Sequence, residues 1–405
     1  MSSANTSAYG PVSAAPEVQA AEAMSNAAAA GIDRAVALTR PDLELRGSAG
    51  LETDFGYSNG SPAASYSYAL GVSVPLYRGG SGAAVVTAKA EHQVSLEAAA
   101  DRRVAVAYEI AVSLTRVRQL RETLGILDRQ QGLLRQLRSD ISEEVAAGAT
   151  SRIDLDETDR QLARIAVLRE TAMLDLTQAT TGLRRLGVAE QTAPPDVSRV
   201  GLGESEQALI ELALANNPRV RQSLALVKVA SSKVEEAKGA LHPSVDAQFG
   251  LYGEDAQLTG GIASPSGRAT LQFSLPFDLS GAGKATIDQR SDEMEASKFT
   301  LQAARDGVTA AVRTAYDRRQ QARKLRTLAQ REVDGATVLL SGMQAERKVG
   351  ERTARDELGA LESLSSAQLS LAAARFELRA AEYALAAETG LIIELFETSV
   401  LTAGL

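Results

Sequence analysis

The sequence predicts a mainly α-helical chain with a small β part, built as an internally duplicated helix–strand–strand–helix–helix unit. Three observations carry that expectation. Punctuating residues recur in the same order about 202 residues apart. Two pairs of segments alternate apolar and polar residues with a period of two. Between them run leucine and alanine stripes at coiled-coil spacing, far longer than an ordinary helix.

Composition agrees. Hydrophobic residues make up 44% of the 405, but aromatics only 4%, and Trp is absent. Small and aliphatic side chains must therefore do the packing, which suits narrow helix–helix seams. The net charge of −8 comes from interspersed acids and bases with no basic patch, so nucleic acid is not an expected partner. Cysteine is absent, which excludes disulfides, thiol chemistry and a lipid-modified cysteine on this chain. No apolar run reaches the ~18 residues of a transmembrane helix. Residues 1–14 lack the basic start and apolar core of an export signal, so either the chain is not exported or a native signal has been removed.

The elements follow in order. Residues 1–15 read as a disordered N-terminal segment, and 16–186 as the first repeat. Its first helix, 16–39, is stopped by Pro41. A strand at 42–57 alternates Leu43, Leu45 and Ala49 against Glu44, Arg46 and Ser48. Asn59-Gly-Ser-Pro62 supplies turn chemistry. A second strand at 65–77 sets Tyr66, Tyr68, Leu70, Val72 and Val74 on one face. The helix 83–146 carries a seam at Leu120, Leu124, Leu127, Leu134, Leu137 and Ile141, and would be roughly 95 Å long at about 1.5 Å per residue. After a turn at Gly148, the helix 152–186 returns with Ile165, Leu168, Ala172 and Leu183 on its stripe. Residues 187–217, with Pro194-Pro195, read as an irregular linker containing a short helix. The second repeat, 218–390, repeats the plan: helix 218–240, strands 244–253 and 269–277, helix 284–347, a turn at Gly350, and helix 354–387. Residues 391–405 form a tail.

Two hairpins cannot make a stable sheet alone, because their outer edges stay open. Strands of about ten residues with one apolar face suit a tilted membrane strand, and a sheet in lipid must close on itself. Closure then requires several chains. The rival reading is a soluble coiled-coil scaffold or adaptor, which leaves the two-faced strands unexplained.

From Pro16 to Gly390 the chain resembles the TolC-like outer-membrane channel family, which serves multidrug efflux and type I secretion. Val349-Gly-Glu-Arg-Thr-Ala-Arg-Asp356 and the Ala/Leu helix after it carry the resemblance most specifically. It implies a homotrimer with one shared twelve-stranded outer-membrane barrel, continued by a twelve-helix periplasmic tunnel. It also implies a periplasmic adaptor (membrane fusion) protein and an inner-membrane ABC or proton-driven transporter as partners, with outer-membrane lipid around the barrel. The export signal and a short helix before Pro16 are missing from the match, implying a truncated or processed N-terminus.

The resemblance places a pore gate at the two helix turns, with Asp154 as its acidic and Arg352 as its basic member. An exposed pair of this kind is worth about 0–1 kcal/mol and can be broken by a partner. Where the family has a tyrosine in this network, Arg347 stands here, so the closed state is expected to be held differently. Asp356 matches an acidic ring position, where three carboxylates about one axis would raise one another's pKa. Gly359 occupies the next ring position, which makes a second acidic ring unexpected. Gly148 and Gly350 are expected to take positive φ and to mark the turns that meet the adaptor.

Catalytic motifs fail on inspection. Ser280-Gly-Ala-Gly-Lys284 departs from a phosphate loop at Asp278 and Ala285. His92 and His242 are isolated, so neither a metal centre nor a triad is expected, and no cofactor. The expectation is a passive exit duct, not an enzyme. It leans to type I protein secretion over small-molecule efflux because the anchoring cysteine is missing.

Overall fold

The computed structural model describes residues 10–52, 63–203, 205–255 and 265–396. In chain order the elements are α1 (Gly10–Ser13), α2 (Pro16–Ala37), β1 (Asp42–Glu52), β2 (Ala63–Arg78), α3 (Ser81–Ala146), α4 (Arg152–Arg185), α5 (Glu206–Asn216), α6 (Pro218–Gly239), β3 (Ser244–Asp255), β4 (Ser266–Ser274), α7 (Ala282–Lys348) and α8 (Ala354–Glu388), with one 3-10 turn at Val197–Arg199. The chain divides into two compact units.

One unit, residues 22–97 and 221–303, holds the sheet. Its four strands lie in the order β1-β2-β3-β4, every neighbour antiparallel. The central pair, β2 with β3, joins the two repeats. Register puts Leu43, Val72, Phe249 and Ala269 in one row across the sheet, and Leu45, Leu70, Leu251 and Gly267 in the next. The alternate rows are polar: Asp42, Ser73, Gln248 and Thr270 share one. Among the described residues nothing covers the apolar rows, and Leu45 is 74% exposed, Leu271 69% and Phe273 63%. The polar side is knitted by Ser48 to Ser67 (2.8 Å), Gln248 to Gln272 (3.2 Å) and the Arg78–Asp246 ion pair (2.8 Å). The register of β2 shifts between Pro75 and Tyr77, where proline has no N–H for the ladder.

The last strand differs from expectation. It covers Ser266–Ser274 rather than 269–277, because its partner β3 begins at Ser244 and pairs that residue with Ser274. Leu275 and Phe277 lie beyond it, next to Pro276, which cannot donate to a ladder. The expected strand residues 53–57, the Asn59–Pro62 turn, residues 1–9 and the tail from 397 lie outside the described residues.

The other unit, residues 1–21, 98–220 and 304–405, is helical. One of its two cores gathers Ile110 and Leu114 of α3, Leu183 of α4, Tyr383 of α8 and the linker residues Val197 and Val200. The expected disorder does not extend to residues 10–15, and the expected tail from 391 begins as packed helix. α1 is present before Pro16 and its Val12 is buried, as are Ile392 and Leu395 in the helical residues 392–396. An apolar side chain released from water gains about 2 kcal/mol, enough to order short segments that composition alone leaves open. The Tyr383 hydroxyl donates to the Pro195 carbonyl at 2.6 Å and pins the linker.

The second core is a four-helix seam. Leu124, Leu127, Leu134, Leu137 and Ile141 of α3 meet Ile165 and Ala172 of α4, Leu340 of α7, and Leu358 and Leu361 of α8. One stripe residue falls off it: Leu168 is 41% exposed. An α-helix drifts about 20° per heptad against a strict seven-residue repeat, so a long stripe cannot all face one seam.

Candidate functional site: the two helix turns

The turns between the long helices are built alike. Gly148 and Gly350 take φ of 69° and 80°, the left-handed region open to glycine. Beyond each glycine, a backbone N–H reaches back to the helix: Ala149 to the Glu144 carbonyl at 2.8 Å, and Glu351 to the Glu346 carbonyl at 3.0 Å. The glycine N–H groups bond the carbonyls of Val145 (3.0 Å) and Arg347 (2.9 Å). This double closure satisfies carbonyls that a helix end would otherwise leave open.

The next helix is then capped. The Ser151 hydroxyl accepts from the Ile153 N–H at 3.2 Å. The Thr353 hydroxyl accepts from the Asp356 N–H at 3.3 Å, and the Asp356 carboxylate accepts from the Thr353 N–H at 3.0 Å, a reciprocal capping box. Asp154 and Asp356 are therefore the same position in the two repeats, the third residue of α4 and of α8. Asp154 accepts from the Thr150 hydroxyl at 3.1 Å. Asp356 accepts from the Thr353 backbone and hydroxyl, and these bonds, with the nearby Arg352 charge, hold its carboxyl below the ordinary range. Within the single chain that shift is opposite in sign to the one expected of an acidic ring.

The expected Asp154–Arg352 pair does not form within the chain. Arg352 binds Glu346 of its own turn at 2.7 Å, and Asp154 stays with Thr150. The contact between the two turns is made by Arg347 instead. Its guanidinium bridges Glu144 of α3 at 2.7 Å and Glu357 of α8 at 2.6 Å, and Gln344 donates to the other Glu357 oxygen at 3.0 Å. The Arg347 and Glu357 side chains are only 13% and 11% exposed. Burial works against the Arg347 charge, but the bonds from Glu357 and Glu144 outweigh it and leave the pKa above its ordinary value. Arg347 is among the gate residues expected from the sequence, whereas its partners Glu144 and Glu357, and the Arg352 partner Glu346, are not. The repeat itself held a signal, because Glu144 and Glu346 occupy matching positions one residue before the last turn's closing carbonyl.

A duplicated unit with long helical hairpins, and a sheet whose apolar face and outer edges are bare, is the architecture of the TolC-like outer-membrane channels. The chain belongs to the outer membrane efflux protein family, whose model matches residues 12–187 and 209–391. Membership places it in the outer membrane with a periplasmic extension, in a family of channels rather than enzymes. It is 27% identical over 194 residues to the outer membrane efflux protein BepC of Brucella suis biovar 1 (strain 1330), a match covering 47% of this chain and 42% of that relative. Among solved structures, the fold is similar to CusC (TM-score 0.81, 16% identity, 94% of this chain and 91% of that one). It is also similar to the MtrE outer membrane channel of Neisseria gonorrhoeae (0.79, 16%, 94% and 87%). The CmeC outer membrane channel of Campylobacter jejuni matches comparably (0.77, 15%, 95% and 84%). At these identities the likeness is one of fold.

Proposed function

We propose that this chain is one subunit of a passive trimeric exit duct of a tripartite export system, working with an inner-membrane transporter and a periplasmic adaptor. One observation carries the reading: among the described residues β1 and β4 are each paired on one side only, beneath an apolar face that no described residue covers. In lipid such edges cost several kcal/mol per unpaired group, so neighbouring copies must close the sheet. No described helix is long and apolar enough to cross a membrane, so the proposed crossing falls to the strands.

In this reading the turns at Gly148 and Gly350 are where the adaptor docks. Arg347, with Glu144 and Glu357, is the inner tie of the closed gate, and Asp154, Arg352 and Asp356 line its mouth. The family's name and that of BepC both speak of efflux, which favours small-molecule cargo. Type I protein secretion is the alternative, and the absence of cysteine bears on anchoring alone. The test is the mass and image of the detergent-extracted protein, followed by export from cells lacking the gene. A hollow trimer, with drug sensitivity on deletion and unchanged protein secretion, supports the reading. A water-soluble monomer defeats it.

A further inference from the structure

A cavity of about 880 Å³ opens in the helical unit between α3, α8 and the linker at Pro194 and Pro195. Five arginines line it: Arg118 and Arg121 of α3, Arg326 of α7, and Arg375 and Arg379 of α8. Only three carboxylates share the lining, those of Glu122, Asp196 and Glu382. Each already has work. Glu122 binds Arg375 at 2.7 Å, Glu382 binds Arg379 at 3.2 Å, and Asp196 accepts from the Ser198 N–H at 3.1 Å and its hydroxyl at 2.8 Å. Arg121 turns to Glu190, donating to its carbonyl at 3.2 Å and pairing with its carboxylate at 3.9 Å. Arg118 and Arg326 make no hydrogen bond or ion pair among the described residues. Two of the five lining arginines, Arg118 and Arg326, thus face the cavity with no counter-charge bound to them among the described residues.

The floor is different in kind. Pro195, Leu378 and the Phe376 ring present carbon surface, and the buried Tyr383 hydroxyl is consumed by Pro195. Arg116 lies 5.6 Å from the centre of the Phe376 ring and fixes its position. Guanidinium forks read planar carboxylates and phosphates bidentately, and a cavity of a few hundred Å³ suits a small molecule. We propose that this cavity binds a small organic polyanion, its flat carbon body resting on the Phe376 floor and its acid groups reaching Arg118 and Arg326. The proposal does not rest on the export reading, since every group in it belongs to one folded unit of the chain.

The test is calorimetric titration of the full-length protein in detergent at fixed ionic strength. The probes are trimesate (a benzene ring with several carboxylates), pyrophosphate, benzoate and a short poly-glutamate peptide. Trimesate is expected to bind about tenfold or more tighter than benzoate, because added charge-assisted pairs are worth that much. Tighter binding of trimesate than of pyrophosphate supports the carbon floor, whereas equal binding removes it and overturns the organic part of the proposal. The R118A/R326A double variant is expected to lose about tenfold in trimesate affinity. It should keep its melting midpoint, since neither side chain holds a partner among the described residues. Should it fail to fold, Arg326→Gln reads the same loss with the side chain's bulk retained. Unchanged affinity in the folded variants, no binding of any polyanion, or tighter binding of the peptide than of trimesate overturns the proposal.

Discussion

Arg347 carries the one ion-pair bridge described between the two turns, and its removal strands two acids. Glu357 is 11% exposed and would lose its cation inside the seam, whereas Glu144, at 39%, would regain water. Arg347→Ala is expected to destabilise the helical unit by about 1–3 kcal/mol, the range for hydrogen bonds to charged groups. In the gate reading it also raises the single-channel conductance of the reconstituted protein. Arg347→Lys should fall between, because one ammonium cannot fork to both carboxylates. Arg352→Ala removes an exposed pair within one turn and is expected to leave stability unchanged on the same melts. Asp356 sets a pH dependence. Its folded pKa is depressed by the Thr353 capping bonds, so its contribution is complete above the unfolded value near 3.9. The contribution is lost as pH falls through the lower folded value. Amide exchange in the first turn of α8 should therefore accelerate below about pH 4 in the wild type, while Asp356→Ala exchanges fast at neutral pH as well.

At the level of elements, glycines in similar-looking corners do different jobs. A Cβ added at Gly350 meets nothing within 4 Å, so Gly350→Ala bears only the left-handed backbone penalty of about 1–2 kcal/mol. A Cβ at Gly239 would stand 2.2 Å from the Gly80 Cα and 2.5 Å from its nitrogen, where α6 crosses the entrance to α3. Backbone cannot yield as a side-chain tip can. Gly239→Ala is expected to lower the melting midpoint further than Gly350→Ala, and the opposite order would show that this corner relaxes. Much at this scale was legible in the sequence. Gly148 and Gly350 recur at one spacing, and Pro41 stops the first helix, because each answers a local backbone demand. The seam from Leu120 to Ile141 was legible for the same reason, since its period is a property of one helix. What escaped reading depends on neighbours. Val12 and Ile392 are ordered by a core assembled from distant segments, β4 takes its limits from β3, and Glu144 finds Arg347 only once α3 and α7 lie side by side.

For the whole molecule, the bare face of the sheet makes the strongest demand. Row partners such as Leu45 and Leu251 are exposed in the single chain, an arrangement water would not sustain over so continuous a patch. Leu45→Arg and Leu271→Arg place a cation on that face, at about 2–4 kcal/mol each if the position lies near mid-membrane. In the trimer reading both variants are expected to run as monomers on mild-detergent gels, while Ser48→Arg on the polar side is expected to keep the oligomer. Loss of the oligomer in Ser48→Arg alone would reverse the assignment of faces.

The pairing of Leu70 with Leu251 also sets an order of events. While α3, α4, α5 and α6 are still being delivered, β2 has β1 on one flank and nothing on the other. A ladder half built in this way would seize any extended strand it met. In the nascent chain, then, the β2 edge stays open for as long as some 165 residues take to follow it, and closes only when β3 arrives.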